Sequence, residues 1–281
     1  MMRYFRPATA LLAGLLLSLL PITPAQAAER DDFPSCYGML GDAAPTVPAS
    51  PRALFVIIDE TVAADDSLKR AVVDKTLRYL RPGDDIIVAR FAAYIGEHYT
   101  QLPLKGQLDP TLDEEARFSI SKRALVGFDG CMSKQSNFVK QRVTSAILES
   151  FNPNEDIPKT ELLGNLSSLS EVVANNEAPR KTVLLFSDML ENSDLTTFYR
   201  QGAVRVIEPD AELAKLDASG IQADWGGASI YIMGAGLVGD TSAYRSKQAL
   251  SALRSFWTGY FQRSQATLKG WGEPMLMVEL Q

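Results

Sequence analysis

Ala53-Leu-Phe-Val-Ile-Ile58, closed by Asp59, is an unbroken apolar run with no polar residue at alternate positions. A strand with one wet face alternates, whereas a strand covered on both faces does not, so this run predicts a parallel sheet sandwiched between helices. Lys181-Thr-Val-Leu-Leu-Phe186, ended by Ser187-Asp188, has the same character, as does Ala228 to Met233. Helical spacing fills the intervals. Leu68, Val72, Val73, Leu77 and Leu80 mark one helix, stopped by Arg81-Pro82-Gly83-Asp84. Val139 to Phe151, Leu162 to Val173 and Ala249 to Tyr260 mark three more, and Glu212 to Ala218 a short one. Asp85 to Ala93 reads as a second strand with His98 to Leu104 antiparallel beside it at the edge, and Pro274 to Leu280 as the closing strand. The fold class that follows is α/β: a doubly wound, mostly parallel sheet with helices on both faces and one antiparallel edge strand.

Composition narrows the chemistry. The chain has 281 residues, 46% of them hydrophobic, which is enough for one large core. Lys and Arg number 28 against 34 Asp and Glu, a formal charge of -6, and this argues against a nucleic-acid partner held through its phosphates. His98 is the only histidine, so neither a multi-imidazole zinc site nor a choice of catalytic triads can be built.

The N-terminus reads as a leader. Arg3 and Arg6 precede the apolar run Ala8 to Leu20, and Ala25-Gln26-Ala27 is a small-x-small cleavage site. The run is short for a membrane span, which takes about 20 apolar residues. Residues 1–27 are therefore expected to be a signal peptide, 28–51 an extension and linker, and 52–281 the folded domain. The mature protein is expected to be exported, periplasmic or secreted, with no integral membrane segment. In an oxidising compartment Cys36 and Cys131, the only two cysteines, are expected to be bonded.

In a doubly wound sheet ligands bind at the carboxyl ends of strands. Two strands end there in aspartate, Asp59 and Asp188, the first followed by Glu60-Thr61-Val62-Ala63. Carboxylates and hydroxyls so placed suit a hard cation such as Mg²⁺. They also suit helix capping and turn formation, and both readings stand.

The order of these elements, with Asp59 and Thr61 after the first strand, Pro82-Gly83-Asp84 before the second, Thr160 opening a helix and Arg180 to Asp188 as a later strand, resembles a von Willebrand factor type A domain. The likeness spans roughly residues 50–281. It implies a metal-ion-dependent adhesion site in which Asp59, Thr61, Thr160 and Asp188 hold Mg²⁺ or Mn²⁺ for a carboxylate on a partner protein. Ala63 stands where that family places a second serine and offers no oxygen, so the implied site is partly degenerate. Glu60 and Glu191 flank it. Asp65 and Asp66 serve a helix start, and Asp84 and Asp85 a turn.

Gly234-Ala-Gly236-Leu-Val-Gly239 matches the dinucleotide fingerprint as a pattern, but no strand with an acid about 20 residues on follows it, so no dinucleotide is expected. The functional expectation is a non-enzymatic, protein-binding module. A metal-independent structural component of an envelope or transfer assembly is the alternative, and a metal- or nucleotide-dependent enzyme a weaker one.

Overall fold

The computed structural model describes residues 30–94, 97–151, 161–200, 203–237 and 246–281. Strands β1 (Arg52–Asp59), β2 (Asp85–Tyr94), β3 (Glu97–Gln107), β4 (Arg180–Phe186), β7 (Ser229–Met233) and β8 (Thr267–Trp271) form one sheet, and β5 (Tyr199–Arg200) pairs with β6 (Ala203–Val204) in a separate ribbon. The sheet order is β3-β2-β1-β4-β7-β8, with every neighbouring pair parallel except β2 and β3. The helices are α1 (Asp66–Tyr79), α2 (Glu114–Ser119), α3 (Lys122–Glu149), α4 (Leu162–Ala174), α5 (Pro209–Ser219) and α6 (Lys247–Arg263). This is the doubly wound arrangement expected, with β3 as the antiparallel edge.

The apolar run of β1 is explained by its two faces. Ala53, Phe55 and Ile57 pack into a core with α4, α5 and α6, while Leu54, Val56 and Ile58 pack into another with α1 and α3. Successive side chains of a strand point to opposite faces, so a strand buried on both sides has no position left for a polar residue. The turn before β2 is fixed by Asp84, which is 1% exposed, bonded to Arg52 through its guanidinium and accepting from the backbone N–H of Arg81 at 2.7 Å. Asp65 caps α1, accepting from the Leu68 N–H at 2.8 Å, the helix-start role expected of it.

Two expectations need correction. The last strand is β8, Thr267–Trp271, and residues 274–280 are not a strand. Pro274 has no N–H to give a ladder, and the tail instead folds over the α1 side, with Leu276 in that core and the Val278 carbonyl accepting from Lys75 Nζ at 2.7 Å. The helix read from Val139 onward begins at Lys122. Its first part, through Phe128, packs in a small cluster against Tyr37 and Leu40 of the 3-10 helix Tyr37–Ala43.

Cys36 and Cys131 are joined, their Cα atoms 5.6 Å apart, and Cys131 lies within α3. The N-terminal extension is tied down further along β3: Asp32 N–H donates to the Lys105 carbonyl at 2.8 Å, and the Asp32 carboxylate accepts from the Lys105 N–H at 3.0 Å. These bonds cover part of an edge strand whose outer backbone groups would otherwise be unpaired. The leader assigned to residues 1–27 lies outside the described residues. Among the described residues, no helix is long and apolar enough to cross a membrane.

Candidate functional site

Strands β1 and β4 are adjacent and in register, Ile58 beside Phe186, so both release their next residues at one level of the sheet. Asp59 and the Ser187-Asp188 pair are thereby brought together. Ser187 Oγ donates to Asp59 Oδ2 at 2.8 Å, and Thr61 donates to Asp59 Oδ1 through its hydroxyl at 2.6 Å and its N–H at 3.0 Å. Asp188 Oδ1 accepts from the Leu190 N–H at 2.9 Å, and Oδ2 accepts from the Tyr199 hydroxyl at 2.6 Å. Asp59 is 0% exposed and Asp188 7%.

Such burial disfavours charge. Asp59 is pushed up to about 6 by burial, against hydrogen bonds from Thr61 and Ser187 that favour its anion. Asp188 is pushed up to about 7 by burial and by the charge of Asp59. The Tyr199 phenol is driven well above its ordinary range by burial and by the charge of Asp188, so it remains a protonated donor. Buried carboxyls with one raised by the other's charge favour a retained proton or a bound cation at the site.

Of the residues expected at the site, Thr61 is bonded to Asp59, and Asp188 lies near enough for the charge of Asp59 to raise it. Thr160 lies outside the described residues. The cap position of the helix that follows it belongs to Glu161, which gives no side-chain cap bond. Ala63 is exposed and supplies no oxygen. Glu60 is buried and forms an ion pair with Arg90, Nε to Oε1 at 2.9 Å, which directs it away from ligand duty.

Two contributors were not legible as such, while Glu191 was expected only to flank the site. Ser187 and Tyr199 hold the outer oxygens of the two carboxyls, and neither sits at a spacing that singles it out in sequence. Glu191, 1% exposed, accepts from the Leu163 N–H at 2.8 Å and so pins the first turn of α4 against the Asp188 loop. Carboxylates are favoured at helix N-termini, yet burial still pushes Glu191 up to about 7.

The glycine turn after β7 abuts this loop. Gly236 N–H donates to the Asp188 carbonyl at 2.8 Å, and Gly234, at φ +96°, leaves room for the Ser187 carbonyl, which a Cβ would meet at 3.0 Å. The glycines thus serve a tight turn and a close approach to the site's own backbone. Gly239 lies outside the described residues, and the chain about 20 residues on is α6. Gly234→Ala is expected to cost about 1–3 kcal/mol in chemical denaturation, from left-handed strain and the carbonyl contact together. An unchanged midpoint would contradict this role.

The donor set is all oxygen, which fits a hard divalent cation in kind. Two carboxylates and the Thr61 hydroxyl would hold it, with water completing the shell. Among the described residues no group of three or more His, Cys, Asp or Glu gathers as a metal site.

No protein-family model matches the chain, and no curated protein matches it. Among solved structures, an aerotolerance-related membrane protein from Bacteroides fragilis NCTC 9343, carrying multiple mutations to serine, is 13% identical, with the match covering 77% of this chain and 90% of that one at a TM-score of 0.34. The conserved hypothetical protein BatB from Bacteroides thetaiotaomicron is 14% identical over 77% of this chain and 88% of that one, at 0.35. The three N-terminal domains of the type V pili tip protein Mfa5 from Porphyromonas gingivalis are 15% identical over 50% and 20% of the two chains, at 0.28. These are distant likenesses at low scores, and the fold rests on the strand order and register of this chain itself.

Proposed function

We propose that the chain is an exported, non-enzymatic protein-binding module whose contact face is the carboxyl end of the sheet. There Asp59, Thr61 and Asp188, with Thr160 just before Glu161 in sequence, hold Mg²⁺ or Mn²⁺, and the cation accepts a carboxylate of the partner. The observation that carries this reading is the pair of buried carboxyls delivered by neighbouring parallel strands, with the charge of Asp59 disfavouring that of Asp188. A divalent cation offsets that repulsion and gives an acidic protein a positive point at which to meet an acidic group. Export is supported by the leader pattern and by a disulfide of the kind that persists in oxidising compartments.

A metal-independent structural role is favoured by a different observation. All four oxygens of Asp59 and Asp188 already accept hydrogen bonds from the protein, and Ala63 contributes none. Thermal unfolding with and without Mg²⁺ separates the two. The first reading expects stabilisation of about 2.7 kcal/mol at a hundredfold excess over the dissociation constant, abolished in Asp188→Ala and enlarged in Ala63→Ser. A response seen in Ala63→Ser but not in the natural chain assigns the structural role. No response in either shows that these residues do not share a cation site.

A further inference from the structure

Tyr199 opens the β5–β6 ribbon, on the excursion of chain that leaves the sheet after Asp188 and returns over it. The residue before it is an anchor. Phe198 is fully buried, edge-on to Phe256 with ring centroids 5.0 Å apart, and its backbone is bonded on both sides: its N–H donates to the Glu191 carbonyl and its carbonyl accepts from the Arg205 N–H, each at 2.8 Å. Tyr199 itself is only partly buried, and its hydroxyl reaches back eleven residues to Asp188 Oδ2 at 2.6 Å.

Asp188 Oδ1 is already committed to the Leu190 N–H within its own loop, a bond that a cation need not disturb. Oδ2 is the oxygen held by a side chain, and a hydroxyl hydrogen and a cation compete for the same electron density on a carboxylate oxygen. We infer that Tyr199 is the gate of the strand-end site, its hydroxyl holding Asp188 closed until a divalent cation displaces it. This rests on the cation reading above. Because Phe198 fixes the base of the ribbon, displacement of the neighbouring phenol is a local rotation that leaves the core in place. The gate also explains how a site lacking the Ala63 oxygen stays satisfied without metal: the tyrosine supplies the missing polar partner to one carboxyl as Ser187 and Thr61 do to the other.

The test is calorimetric titration of Mg²⁺ into the natural chain, Tyr199→Phe and Tyr199→Leu, paired with their thermal midpoints in EDTA and in saturating Mg²⁺. Removing the hydroxyl is expected to tighten Mg²⁺ binding about tenfold or more, the worth of a hydrogen bond to a charged group. Both variants should be less stable than the natural chain in EDTA, with the gap closing or reversing in Mg²⁺. A purely structural tyrosine would lower both midpoints equally and leave affinity unchanged, and that result overturns the gate while the cation reading stands. Weaker binding in the variants overturns it as well, by making the phenol oxygen a ligand. Binding by the variants alone supports the gate in its tightest form. No binding by any of the three removes the cation reading and the gate together.

Discussion

Raising the pH from about 5 to about 8 in EDTA is expected to cost the protein at least about 3 kcal/mol of stability, the worth of a carboxyl shifted by roughly two units. Asp59 is held up at about 6, and Asp188 and Glu191 at about 7, chiefly by burial. In the unfolded chain these groups titrate near pH 4. Between those values the folded protein retains protons that the unfolded chain has released. Stability is therefore complete below about pH 4 and declines as the pH climbs through 6 to 7. Asp188→Asn isolates the cause. Its amide keeps an oxygen for the Leu190 N–H and turns a donor toward the Tyr199 oxygen, while removing the buried carboxyl that the charge of Asp59 raises. The variant should have a flatter pH profile and a midpoint several degrees above that of the natural chain at about pH 8, given about 2–4 °C per kcal/mol for a domain of this size. A profile that rises over the same range, or an unaltered one in Asp188→Asn, would show that these carboxyls are already charged and compensated.

The second large effect concerns the N-terminal extension. Cys36 and Cys131 are 95 residues apart in sequence, and closing a loop of that length removes about 4–5 kcal/mol of unfolded-chain entropy on chain-statistical grounds. Replacing both cysteines by serine is expected to lower stability by that order in denaturant melts, with the slope against denaturant altered by the less compact unfolded state. The doubly wound core should survive, because the bridge joins the extension to the outer part of α3, where the packing is a small cluster separate from the two main cores. Loss of less than about 1 kcal/mol would mean that the contacts of Asp32 and Tyr37 already order the extension unaided.

The architecture was readable because a strand covered on both faces leaves few polar positions: of the buried residues of β1 and β4, only Thr182 and the terminal Asp59 are polar. What escaped were elements whose residues serve two purposes. β8 is short, with Lys269 and Gly270 breaking any apolar run, while in the tail after Pro274 only Met275, Leu276 and Leu280 pack onto the α1-side core and Met277 and Val278 are exposed, so its apolar run does not mark a paired strand. The first half of α3 was missed because it covers only a small cluster and leaves Val126 and much of its surface to solvent, which blurs the helical period. The same contrast holds at the site. Asp59 and Asp188 were legible since each terminates a buried strand. Ser187 and Tyr199 were not, since their importance comes from the hydrogen bonds they give across the fold, and nothing in their local sequence marks a serine or tyrosine for that task.

The most direct measurement of the central claim is a crystal structure grown with Mn²⁺, using its anomalous scattering to place the ion. The account predicts a single strong peak at the carboxyl end of the sheet, with oxygens of Asp59, Thr61 and Asp188 in or adjoining its coordination shell and the Tyr199 hydroxyl withdrawn from Asp188. Saturating Mn²⁺ with no peak there, and the Ser187–Asp59 and Tyr199–Asp188 hydrogen bonds intact, would contradict it.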